Sequence, residues 1–152
     1  MFNFQKAARP RLLASLLFAT AAITGCSTTA SDPMGMMGHS MQPKLDGAHE
    51  VPPNTSQASG VAAITVGADK SVSGKVTTTG VDGKAAHIHE GAAGTNGPVI
   101  VPLSKTADNM WSVPAGAMLT DSQYASYMAG NLYVNVHSAA NPGGEIRTQL
   151  TH

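Results

Sequence analysis

The chain predicts an all-β fold, a Greek-key sandwich or barrel with one short helix. Three observations lead there. Seven short segments alternate or cluster apolar residues at the period of a strand. Gly, Pro, Asn and Asp collect in the gaps between them, where turns need them. Only one stretch carries helical spacing. Short strands at such intervals are typical of Greek-key sandwiches and barrels.

The N-terminus reads as a leader rather than as part of the fold. Lys6, Arg9 and Arg11 make it positive, and Leu12 to Ile23 is apolar but too short to span a bilayer comfortably. It closes on Ile23-Thr24-Gly25-Cys26, which resembles the lipobox of bacterial lipoproteins. The resemblance implies a signal peptide over residues 1–25 and lipidation of Cys26, the only cysteine. An ordinary secretory leader with a chance cysteine is the alternative. Ser27 is similar to the residue found there in lipoproteins sorted to an outer membrane. The expected location is the cell envelope, on a lipid anchor in the outer membrane facing the periplasm.

Loss of the leader removes three of the nine Lys and Arg and none of the nine Asp and Glu, so the remainder carries about −3. That charge gives no electrostatic basis for nucleic-acid binding. With Cys26 lipidated no disulfide can form, and the fold must rest on its core.

Residues 26–42 read as a tether without apolar periodicity, expected to be disordered. Inside it, Met34, Met36, Met37 and Met41 surround His39. Thioether is a soft donor that selects Cu(I), and the intervening glycines let a chain wrap an ion. An accident of composition is the alternative. Residues 43–152 then form one small domain.

Expected strands are Gly60 to Val66, Ser71 to Thr79, Ala85 to His89, Val99 to Leu103, Met110 to Val113, Leu132 to His137 and Glu145 to Leu150. The helix starts at the N-cap Thr120, runs over Asp121 to Ala129 and stops at Gly130. Tyr124, Tyr127 and Met128 lie three and four residues apart, which suits packing on the sheet. Trp111, the sole tryptophan, is expected in the core or at its rim.

Chemistry concentrates in two of these strands. In Ala86-His87-Ile88-His89-Glu90-Gly91 the two histidines share a face, about 6.6 Å apart along the strand, with Ala86 and Ile88 turned inward. In Tyr133-Val134-Asn135-Val136-His137 the valines face the core, and Tyr133, Asn135 and His137 the outer face. If the strands are neighbours, His87, His89 and His137 meet. Three nitrogen donors on a rigid sheet suit copper or zinc. A solvated histidine face, or pairing with Glu90, is the alternative.

Other residues carry weaker signals. His49 reads as a surface residue, with a fourth-ligand role as the sharper option, and His152 as a frayed terminus. Asn135 can orient an imidazole. Glu90 alternates away from the histidines and can instead hold the following loop. Gly91, Gly94 and Gly97 permit a tight loop. Nothing resembles a Ser-His-Asp triad, a phosphate loop or a carboxylate pair.

Leu45-Asp46-Gly47-Ala48-His49-Glu50-Val51-Pro52-Pro53 resembles the opening of the CHRD domain, the module first described in chordin. The histidine strands, Gly97-Pro98-Val99 and Pro142-Gly143-Gly144-Glu145-Ile146-Arg147 resemble it too, in the family's order. The resemblance runs from about Lys44 to Leu150. A fainter likeness, over Val72 to Gly91, is to copper/zinc superoxide dismutases. It implies a dismutase-like fold, His87, His89 and His137 as copper ligands, and Arg147 as the anion-attracting residue if the protein is a dismutase. Val99 stands where the bridging histidine of those enzymes belongs, and no zinc cluster is present, so zinc is not expected. The alternative for Arg147 is a salt bridge to Glu145 or Glu90.

Three functions follow as expectations. The first is a lipid-anchored copper protein that buffers, delivers or resists copper, with the ion, the membrane and another copper protein as partners. The second is a copper-only superoxide dismutase. The third is a metal-free structural or adhesion module.

Overall fold

The computed structural model describes residues 42–152. The expected signal peptide (1–25), Cys26, and Met34, Met36, Met37, His39 and Met41 lie outside the described residues.

The domain is all-β with one α-helix. Its strands in chain order are β1 (Lys44–Asp46), β2 (Ser59–Val66), β3 (Val72–Thr79), β4 (Gly83–Glu90), β5 (Val99–Pro102), β6 (Ser104–Ala107), β7 (Met110–Ser112), β8 (Leu132–Ser138) and β9 (Ile146–Gln149). A 3-10 turn over Gly47–His49 follows β1, and α1 (Asp121–Met128) precedes β8. Every ladder between strands is antiparallel, in the order β5-β4-β8-β9-β1-β2-β3-β7-β6.

The two ends of that order are consecutive in the chain, with only Leu103 between them. One bent segment therefore pairs with β4 through β5 and with β7 through β6, and at the bend the Leu103 amide donates to Ala86 O at 2.9 Å. This nearly closes the sheet and leaves little free edge. Of sandwich and barrel, the molecule takes the barrel-like form.

The interior follows the alternation. Ala86, Ile88, Leu132, Val134, Val136, Leu45, Val76 and Ile146 are at most 1% exposed, and Trp111 joins them. Two strands have no period to announce them. β1 contributes a single apolar residue, Leu45, and β6 reads Ser-Lys-Thr-Ala with every residue exposed. Both are strands because neighbouring edges offer them hydrogen bonds.

The helix carries the expected cap. Thr120 Oγ1 accepts from the Gln123 amide at 3.2 Å, and Gln123 Oε1 accepts from the Thr120 amide at 2.9 Å. Tyr127 is buried on the barrel and Tyr124 packs beside it, while Met128 is exposed. Glu90, turned away from the histidines, accepts from Ser126 Oγ at 2.6 Å. It ties the end of β4 to α1 rather than to its own loop.

Candidate metal centre

Strands β4 and β8 are direct neighbours. His87 lies opposite Asn135, His89 opposite Tyr133 and Ala85 opposite His137. The small Ala85 leaves room for the His137 ring to lean toward His87. Ring centroids are 4.9 Å apart for His87 and His137, 5.5 Å for His87 and His89, and 6.0 Å for His89 and His137. One ligand nitrogen from each histidine falls within 4.8 Å of the others. Nitrogens bound at 2.0–2.1 Å in a tetrahedral shell sit roughly 3.3 Å apart, so side-chain movements of about 1 Å close the site.

Hydrogen bonding sets which nitrogen each ring offers. A carbonyl only accepts, so His89 Nδ1–H donates to Gly97 O at 2.9 Å and His137 Nδ1–H donates to Pro142 O at 3.0 Å. Both rings keep a bare Nε2. His89 Nε2 is buried beside the Asn135 side chain and makes no hydrogen bond of acceptable geometry. His137 Nε2 lies 3.0 Å from His87 Nδ1, which must be the donor. An ion held here would displace that one proton and could be bound by His87 Nδ1, His89 Nε2 and His137 Nε2. A buried, unpartnered ring nitrogen converging with two others fits a metal ion, and backbone carbonyls fix two of the three tautomers.

Residues 41–150 match the family described as the CHRD domain. The chain belongs to this family. No curated protein and no solved structure matches the chain.

In this CHRD domain the face opposite the barrel core is not open to solvent as strand alternation suggests. His89, Tyr133, Asn135 and Arg147 are all at most 7% exposed, and His87 and His137 are half-buried. Two loops cover them. One follows the 3-10 turn, with Asn54 Nδ2 donating to Glu145 O at 3.0 Å. The other spans residues 91–98, and Asn96 Nδ2 joins the two by donating to Val51 O at 2.7 Å. A second, polar interior layer results.

Burial is the chief cause that holds the pKa values of His87, His89 and His137 below 6.5, and a neighbouring histidine adds to it for His87 and His137. The imidazoles are therefore neutral, the form a metal needs, at pH 7.

Arg147 forms neither expected ion pair. Glu145 accepts from Ser56 Oγ at 2.6 Å and Glu90 from Ser126. The guanidinium instead donates to Asn96 Oδ1, Ala92 O, Thr95 O and Gln149 Oε1, and stands 3.4 Å from the centroid of the Tyr133 ring. His49 is a surface residue bonded to Asp46 at 2.6 Å and is not part of the histidine cluster. His152 lies at the exposed end of the chain.

Sequence reading missed Glu50. It is 4% exposed, next to Asn135 and under Gly144. Gly144 has φ +141°, and a Cβ there would strike both carboxylate oxygens of Glu50. Glu50 Oε1 and Asn135 Oδ1 are both buried acceptors without a donor. Burial pushes the pKa of Glu50 up to about 7, against the pull of Arg147. No period marks Glu50, because it follows a 3-10 turn rather than lying on a strand.

A folded pKa above the unfolded value of 4.5 gives stability that is complete below pH 4.5 and lost as pH rises through about 7. Glu50→Gln cannot ionise. Its unfolding free energy is expected to gain about 2–3 kcal/mol on wild type between pH 4.5 and pH 8. Parallel urea titrations across that range test this, and a difference constant with pH contradicts it.

Proposed function

We propose that this CHRD protein is a lipid-anchored copper-binding protein of the bacterial cell envelope that buffers, delivers or resists copper. The observation that carries the reading is the buried, unpartnered Nε2 of His89, converging with donor nitrogens of His87 and His137. The donor set is three neutral imidazoles with no carboxylate in the cluster. Imidazole serves Cu(II) and Cu(I), whereas Mg, Ca and Mn prefer oxygen. The Met34, Met36, Met37, His39, Met41 segment adds soft donors suited to Cu(I). On this reading the tether captures Cu(I) and exchanges it with the histidine site or with another copper protein. Cys26 supplies the anchor.

The dismutase reading asks for more than the site offers. It needs a cation free to draw an anion to the metal, and the guanidinium of Arg147, 1% exposed, is engaged by four oxygens and an aromatic ring. The arrangement favours holding copper over turning over superoxide.

Two measurements test the proposal. Cu(I) competition against a chromophoric chelator is expected to show a second equivalent that disappears when Met34, Met36, Met37 and Met41 are replaced. Equal stoichiometry with and without them removes the tether from the account. The lowered histidine pKa values set the acid limit of the other site. Protons compete only as pH falls below 6.5, so dialysed protein keeps its Cu(II) at pH 6.5 and releases it on further acidification. Full retention at pH 4 points to other ligands.

A further inference from the structure

We infer that Arg147, standing behind Tyr133, biases the histidine site toward a monovalent over a divalent copper ion. The inference rests on the copper reading and names which oxidation state the site prefers.

The geometry is a three-layer stack. Tyr133 lies parallel to His89, with ring centroids 4.8 Å apart and planes inclined by 6°. Strand β8 runs between β4, which carries His89, and β9, which carries Arg147. The tyrosine ring therefore separates the imidazole from the guanidinium, which is 3.4 Å from the ring centroid. The Gly97 amide, donating to Tyr133 Oη at 3.1 Å, holds the ring from its far end.

The charge at the end of this stack is uncompensated. Arg147 is 1% exposed, and none of the ion pairs among the described residues includes it. Its partners are three neutral groups of the 91–98 loop and the Gln149 amide. The nearest acid, Glu50, keeps its proton up to about pH 7. The stack brings the charge of Arg147 to the far side of the ring that His89 packs against. The field of that charge acts on an ion held by His89. It repels a double charge twice as strongly as a single one, and the neutral donor set has no anion to offset it.

A unit charge acting over roughly 8–10 Å at an intermediate dielectric shifts the Cu(II)/Cu(I) preference by about tenfold, equivalent to about 59 mV for one electron. Arg147 is a positioning residue that acts through Tyr133 and His89, so its readout is the potential and not a rate.

The test is an EPR-monitored redox titration of the full chain with one equivalent of copper, following the Cu(II) signal at pH 6.5, where Glu50 holds its proton, and again at pH 8. The tether is identical in every arm, so differences report the substituted residue. Arg147→Gln is expected to lower the midpoint potential by about the tenfold equivalent, and Arg147→Lys to stay near wild type. Glu50→Gln, which removes the anion that faces Arg147 at pH 8, is expected to move it in the opposite direction. If Arg147→Gln does not fold, Arg147→Met, which keeps the apolar stem on the Tyr133 ring and removes the charge, decides in its place. Midpoints that coincide for wild type and the folded variants overturn this inference and leave the copper site standing. An Arg147→Lys midpoint that matches Arg147→Gln overturns it too. No Cu(II) signal in wild type overturns the copper reading itself.

Discussion

Replacing His87 and His89 together by alanine is expected to abolish specific copper binding. Two of three donors disappear, and the survivor, His137 Nε2, loses the ring it now accepts from. Removal of a residue that merely orients a ligand costs 10–100-fold in metal affinity, so removal of two ligands costs more than a hundredfold. Thermal unfolding gives a second reading of the same event. Copper at a hundred times Kd stabilises the wild type by about 2.7 kcal/mol and leaves the double variant where it was. Equal copper-induced shifts in both proteins contradict the assignment.

Gly97→Ala is expected to damage fold and site together. A Cβ at residue 97 collides with the backbone carbonyl of Glu90, which cannot move without disturbing β4. The 91–98 loop must then lift. His89 loses the Gly97 carbonyl that fixes its tautomer, and Arg147 is drawn away from Ala92 O and Thr95 O. A loss of about 3 kcal/mol in unfolding free energy is expected, the upper end for overpacking a well-filled site. Copper affinity in the folded fraction should fall ten- to a hundredfold. Gly94 is the control, since a Cβ there meets nothing within 4 Å although its φ of +77° carries its own strain. Gly94→Ala should lose stability without losing affinity. If both variants bind copper like wild type, loop 91–98 does not support the histidines.

Much of this was legible in the residues. The period of two puts Ala86 and Ile88 in the core and turns His87 and His89 to one face, and the same holds for Val134 and Val136 against Asn135 and His137. The Thr120 cap and the helix after it were also legible, because capping chemistry is local.

What depends on register was not. Whether His137 reaches His87 is decided by pairing Ala85 with His137 across 52 positions of chain, and no local pattern specifies that. Alternation also assigns Tyr133 and Asn135 to the side away from the core, which is correct, but it cannot tell that two loops bury that side. The cover also holds Arg147 on the Tyr133 ring, where the sequence offered an anion-attracting cation or a salt bridge to Glu145 or Glu90. Glu50 shows the same limit, since its burial arises from Asn135 on β8 and Gly144 in the loop before β9, both distant in the chain.

The most direct test of the account is Cu(II) EPR on purified residues 27–152, titrated to one equivalent, beside the His87→Ala/His89→Ala variant and a single His137→Ala variant. The account predicts one tight Cu(II) with nitrogen hyperfine splitting from three imidazoles, lost in the double variant and reduced to two nitrogens in the single one. A signal unchanged in all three proteins, or none in the wild type, contradicts a copper site at His87, His89 and His137.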